Sequence, residues 1–147
     1  MTNVITIDGP SGVGKGTISE YLSDELKWNY LNSGALYRSI AWVAINDSIN
    51  LSDITGLEEA SKNIQFSLRN KKLMINYKNI EINSLIYNEE VAKIASKVSS
   101  KSEVRQSIVN IQRAFKKEPG LVAEGRDMGS VIFPESQLKI FLTASIE

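Results

Sequence analysis

The sequence has 147 residues, 42% of them hydrophobic and 23% charged, values that suit one globular domain with a core of its own. Lys plus Arg and Asp plus Glu both number 17, so the formal net charge is zero and any anion binding must be local rather than a property of the whole surface. Cysteine and histidine are both absent, which excludes disulfides, thiolate or imidazole metal sites and every nucleophilic triad built on histidine. Chemistry is left to Lys, Arg, Asp, Glu and backbone amides, and phosphoryl transfer is a reaction that runs on such parts. No stretch approaches the roughly 18 apolar residues of a membrane span. The opening "MTNVITIDG" lacks the layout of a signal peptide, so the cytoplasm is the expected location.

Val4 to Asp8 reads as a short buried strand, followed at once by the glycine cluster "GPSGVGKGT". From Lys15 the period becomes helical, with Ile18, Tyr21, Leu22 and Leu26 on one face. "WNYLNSG" gives an extended piece and a turn, and Ala35 to Ile45 a second helix with Ile40, Val43 and Ala44 on a shared stripe. "NLSDITGLEEASKN" reads as a helix capped at Ser52. "IQFSL", "LMINY" and "IEI" then form a small antiparallel meander separated by turn signals. Two helices follow, one carrying Val91, Ile94, Ala95 and Val98, the other Val104, Ile108, Ile111 and Phe115, the second ended by "EPG". "LVAEGRDMGS" resumes the α/β pattern with a strand Leu121 to Ala123 running into a charged loop, and "LKIFLTAS" is a last strand. Tyr21, Phe115 and Phe141 read as core residues. Ser145 stands where a helix N-cap would be, yet the chain stops at Glu147, so the expectation is the front part of a longer protein. The fold expected is a P-loop α/β class, three layers α/β/α around a mostly parallel sheet. Its core would be 1–50 and 90–147, with an inserted antiparallel subdomain at about 51–89.

Gly9, Pro10, Ser11, Gly12, Val13, Gly14, Lys15, Gly16 and Thr17 nearly match the phosphate-loop pattern, in which glycines turn successive N–H groups inward and the following helix adds its positive end. Lys15 is the point charge for terminal phosphates. Gly16 holds the usual Ser/Thr position, so Thr17 is only a candidate for a phosphate or for water on a metal. In "NSGALYR", Ser33 sits in a turn and Arg38 one helical turn beyond; Arg38 either forks onto a phosphate or is a solvated helix residue. In "EGRDMGS", Arg126 suits a phosphate and Asp127 a base or a hydrated magnesium, with a local salt bridge as the bland alternative. Ser96 and Arg105, taken alone, read as surface residues of helices.

With "ITIDGPSGVGKGT", "NSGALYR", "QRAF", "PGLVAEGRDMGSVIFP" and "KIFLTAS" in this order, the sequence resembles the bacterial cytidylate kinases, a family of nucleoside-monophosphate kinases in which "GKGT" is a normal variant. The resemblance implies ATP-dependent phosphorylation of CMP and dCMP with Mg2+; a monomer acting on these small molecules is expected, and the balanced charge points to neither nucleic acid nor membrane as a partner. The resemblance implies that the loop Gly9 to Thr17 holds the ATP phosphates, that Lys15, Arg38 and Arg126 carry the catalytic charge, and that magnesium is held mainly by phosphates and water. It further implies that Ser33, Tyr37, Arg38 and Arg126 surround the monophosphate while Ser96, Arg105 and Asp127 read the cytosine. A carboxylate facing the N4 amine and an arginine facing N3 and O2 would match cytosine, whereas uracil would turn a carbonyl toward Asp127. Two departures stand out: Asn32 replaces the family's usual Asp, and the arginine-bearing lid is missing. The chain is therefore expected to bind nucleotides yet to catalyse poorly. A binding-only fragment and a kinase of another small acceptor such as UMP are the alternatives.

Overall fold

The computed structural model describes residues 2–143, which fall into two units. The first comprises the described residues up to Ser33, the segment Leu68–Leu73, and the described residues from Gln112 onward. Its centre is a sheet of four parallel strands: β1 (Val4–Asp8), β2 (Asn29–Asn32), β6 (Leu121–Gly125) and β7 (Leu138–Phe141), in the order β2-β6-β1-β7. Asp8 lies opposite Gly125 on β6 and Phe141 on β7, so the carboxyl ends of the three strands come out together. Every residue of β6 is buried, as is usual for a parallel strand covered on both faces. Phe133, Met128, Ile7, Leu31 and Leu121 are among its fully buried side chains.

Helix α1 (Lys15–Leu26) follows β1 and packs on β6 and β2. Here the structure departs from the periodicity. Ser19 and Ser23 face inward and are buried, while Ile18, Tyr21 and Leu26 are exposed at 41%, 66% and 39%. Two small hydroxyl residues face the sheet, and Ser19 spends its hydroxyl on Glu124 rather than on solvent. Phe141 likewise lies on the surface of β7, so of the three aromatics expected in the core only Phe115 is buried.

The second unit spans Gly34–Ser67 and Met74–Ile111. It holds most of α2 (Ser33–Asn46), then α3 (Ile54–Asn63), α4 (Glu89–Ser99) and α5 (Ser102–Ser107), with α3 and α4 both packed on α5. The cap of α3 is Asp53, whose carboxylate accepts the Gly56 N–H at 3.0 Å; Ser52 bonds to Asn50 instead. The helix expected from Val104 to Phe115 is broken into α5 and α6 (Val109–Arg113) at Ile108. Ser107 donates its hydroxyl to the Val104 carbonyl at 2.6 Å, a back-bond that competes with the helical ladder just where it ends. Strands β3 (Gln65–Arg69), β4 (Lys72–Tyr77) and β5 (Ile80–Glu81) form a separate three-stranded sheet in that order, with β4 and β5 antiparallel. The tip between β3 and β4 belongs to the first unit, where the Tyr30 N–H bonds to the Lys71 carbonyl. Ser145, the expected N-cap, lies outside the described residues.

Candidate functional site

Strand β1 ends on Asp8 and hands the chain to the glycine loop. Gly12 and Gly14 adopt φ of 82° and 88°, left-handed values that side-chain-bearing residues rarely take, and Gly14 is the residue from which α1 starts. Pro10, Ser11, Gly12, Gly14, Gly16 and Thr17 are exposed, and Lys15 is half-buried. A helix start preceded by such a turn presents N–H groups that suit an anion.

Two cations fold onto this loop. Lys15 Nζ donates to the Gly9 carbonyl at 2.6 Å, and Arg126 Nη2, from just beyond β6, donates to Ser11 Oγ at 2.8 Å. Burial holds the Lys15 ammonium below the ordinary lysine value; Arg126 pushes it the same way, while Glu124 and Asp8 oppose. A bound polyanion would oppose the effect of burial by favouring the charged ammonium.

Two buried carboxylates brace the surroundings. Glu124, at 4% exposure, accepts from Tyr30 at 2.5 Å and from Ser19 at 3.3 Å. Asp8, at 7% exposure, accepts the N–H groups of Met128 and Gly129 at 2.8 and 2.9 Å. Ser33 is buried beside Gly125, so it too belongs to this cluster. Among the described residues no group of three or more acidic side chains gathers to hold a metal ion.

The sequence pattern of the cytidylate kinases matches residues 5–147. The chain belongs to the cytidylate kinase family. It is 41% identical over 149 residues to the cytidylate kinase of Aeromonas salmonicida, covering 100% of this chain and 65% of that protein. The cytidylate kinase of Aeromonas hydrophila is 42% identical with the same coverage, and that of Stutzerimonas stutzeri is 45% identical over 148 residues. The chain thus spans about two thirds of the length of these cytidylate kinases, 65% in each case.

The first unit brings together the loop Gly9–Thr17, Ser33, Arg126 and Asp127; Tyr37, Arg38, Ser96 and Arg105 belong to the second. There Arg38 Nη1 donates to the Ile86 carbonyl at 3.2 Å, and its guanidinium sits 5.2 Å from the Tyr87 ring centroid. Ser96 is exposed on α4 and Arg105 exposed on α5. Sequence reasoning missed Asp8, Glu124, Tyr30 and Tyr87. For Asp8 and Glu124 a signal existed: each is an acid within an apolar strand, and a buried charge needs partners. Strand β6 runs two residues further than the sequence pattern indicates, to Gly125, and so takes in Glu124.

Proposed function

We propose that the chain binds ATP at the loop Gly9–Thr17 and transfers its γ-phosphoryl group to CMP or dCMP, giving ADP and CDP or dCDP. The observation that carries this reading is the pair of cations, Lys15 and Arg126, folded onto a glycine loop between a parallel strand and a helix, in a chain of the cytidylate kinase family. An oxygen of the acceptor phosphate attacks the γ-phosphorus in line, and the bond to the bridging oxygen of ADP breaks. The acceptor is already anionic, so no general base is needed; positioning and charge neutralisation do the catalysis.

In this reading Gly9, Pro10, Ser11, Gly12, Val13, Gly14, Gly16 and Thr17 line the ATP phosphates, and Lys15 exchanges the Gly9 carbonyl for a phosphate oxygen. Arg126 and Arg38 grip the acceptor phosphate with Ser33 and Tyr37, while Ser96, Arg105 and Asp127 read cytosine. Phosphates and water would hold the magnesium of Mg-ATP, with the exposed Thr17 hydroxyl as the candidate protein group, and the ion would supply charge neutralisation at the phosphates. Residues 1–50 and 90–147 are the kinase core and about 51–89 its monophosphate-binding insertion. A cytoplasmic monomer acting on small molecules, without nucleic-acid or membrane partners, fits the balanced charge and a set of described helices none of which is long and apolar enough to cross a membrane.

The test is ADP release from Mg-ATP that depends on CMP, with dCMP, UMP and AMP alongside. Turnover selective for CMP and dCMP supports the reading. Binding of ATP and CMP without turnover reduces it to nucleotide recognition, and selectivity for UMP or AMP overturns the cytosine assignment.

A further inference from the structure

We infer that Asp8 is a positioning residue that fixes Arg126 and Asp127 against the phosphate loop; this rests on the reading of Arg126 as a phosphate-binding group. Asp8 is the last residue of β1, so its backbone feeds straight into Gly9. Its carboxylate reaches sideways and takes two backbone N–H groups, Met128 at 2.8 Å and Gly129 at 2.9 Å. One step along, the Gly9 N–H bonds to the Gly125 carbonyl at 3.3 Å. The chain from β6 is therefore tied to the start of the phosphate loop at Gly125 and again at Met128 and Gly129. Only Arg126 and Asp127 lie between the two ties.

The second tie has a steric requirement of its own. A Cβ on Gly129 would come within 2.8 Å of Thr6 Oγ1 and 3.2 Å of the Lys139 side chain, so only glycine lets the turn approach β1 closely enough for Asp8 to reach both amides. The Asp127 carbonyl accepts from Val131 and Ile132 at 2.9 and 3.2 Å, which closes the turn behind it. A carboxylate at 7% exposure costs free energy unless it is paired, and here both pairings go to the backbone that carries Arg126. The consequence is a fixed reach from Arg126 to Ser11, 2.8 Å in this structure.

The experiment measures the affinities of CMP and ATP separately, by calorimetry, for the wild-type chain, Asp8→Asn, Arg126→Ala and the double variant. An asparagine keeps one acceptor and the size but loses one of the two ties. The expected result is a loss of CMP affinity on the order of tenfold, the scale of a supporting residue. ATP affinity should change less than about threefold, and the double variant should lose less than the product of the two single losses. Equal weakening of both ligands, or independent losses that multiply, overturns the inference. A wild-type chain that does not bind CMP instead sinks the functional reading. The tie is then read without substrate, from the 15N resonance of the Arg126 guanidinium: it moves in Asp8→Asn if the tie holds it, and an unmoved signal overturns the inference whatever CMP does. Should Asp8→Asn fail to fold, Gly129→Ala strains the same tie from the other side and is read in the same way.

Discussion

Tyr77 donates its hydroxyl to the Asp47 carboxylate, and this bond is the main reason the phenol is pushed up to about 12 from 10. The same bond holds the Asp47 carboxyl below its ordinary value, although burial works against it. The signs oppose each other in pH. A raised phenol contributes stability that is whole below about pH 10 and lost as pH climbs toward 12; a lowered carboxyl contributes stability that is whole above about pH 4 and lost on acidification. The unfolding free energy of the wild type should therefore fall above pH 10 more steeply than that of Tyr77→Phe, the two curves converging as pH approaches 12 in a urea-denaturation series. A second residue-scale expectation concerns Glu124. Removing the Tyr30 hydroxyl leaves a buried carboxylate one donor short, so Tyr30→Phe should cost about 1.5–3 kcal/mol, in the range for hydrogen bonds to charged groups. Ser19→Ala removes the longer bond, 3.3 Å, and should cost less; the reverse order in chemical denaturation would mean that Ser19 carries the pairing.

Helix α1 shows how a correct element can carry a wrong face. Its start was legible because Gly14 ends the loop and a helical period begins at Lys15, and its end is close to the left-handed Lys27. The buried side was not, because periodicity counts apolar residues and the sheet here is met by Ser19 and Ser23. A polar substitution on the apolar side tests this: Tyr21→Lys should change stability by no more than about 0.5 kcal/mol, as for ordinary surface positions. Ser23→Leu, on the face that reads as polar, should cost about 1–3 kcal/mol through overpacking. Urea midpoints moving the other way would restore the sequence-based face. The broken helix at Ile108 was hidden for a related reason. Val104, Ile108, Ile111 and Phe115 keep helical spacing, but spacing does not register the Ser107 back-bond that ends the ladder between them.

For the whole molecule, the order of elements was readable from alternating strand and helix signals and from the dense glycines after β1. That Lys15 and Arg126 lie at the glycine loop was readable, one from its place within the loop and the other from its place just beyond a buried strand. The acids that brace them were legible only as acids within apolar strands; their partners were not, since Asp8 and Glu124 act on Met128 and Ser19, more than a hundred residues away, and no local pattern marks such pairs. One expectation is set by the folded chain as a unit: a ligand that binds only the native state stabilises it by mass action. Mg-ATP at a hundredfold over its Kd should add about 2.7 kcal/mol, which for a chain of this size raises the Tm by roughly 5–10 °C. Lys15→Met should remove most of that gain while leaving the Tm without ligand within a few degrees, because the ammonium is half-buried and, among the described residues, its hydrogen bond goes to the Gly9 carbonyl of the loop itself. CMP should protect as well, and UMP much less at the same concentration, since a uracil carbonyl facing Asp127 would meet a carboxylate rather than a donor. This comparison needs no turnover, so it separates recognition from catalysis. Equal protection by UMP and CMP would remove the cytosine-reading roles from Ser96, Arg105 and Asp127 and leave the phosphate loop as the part of the site that still stands.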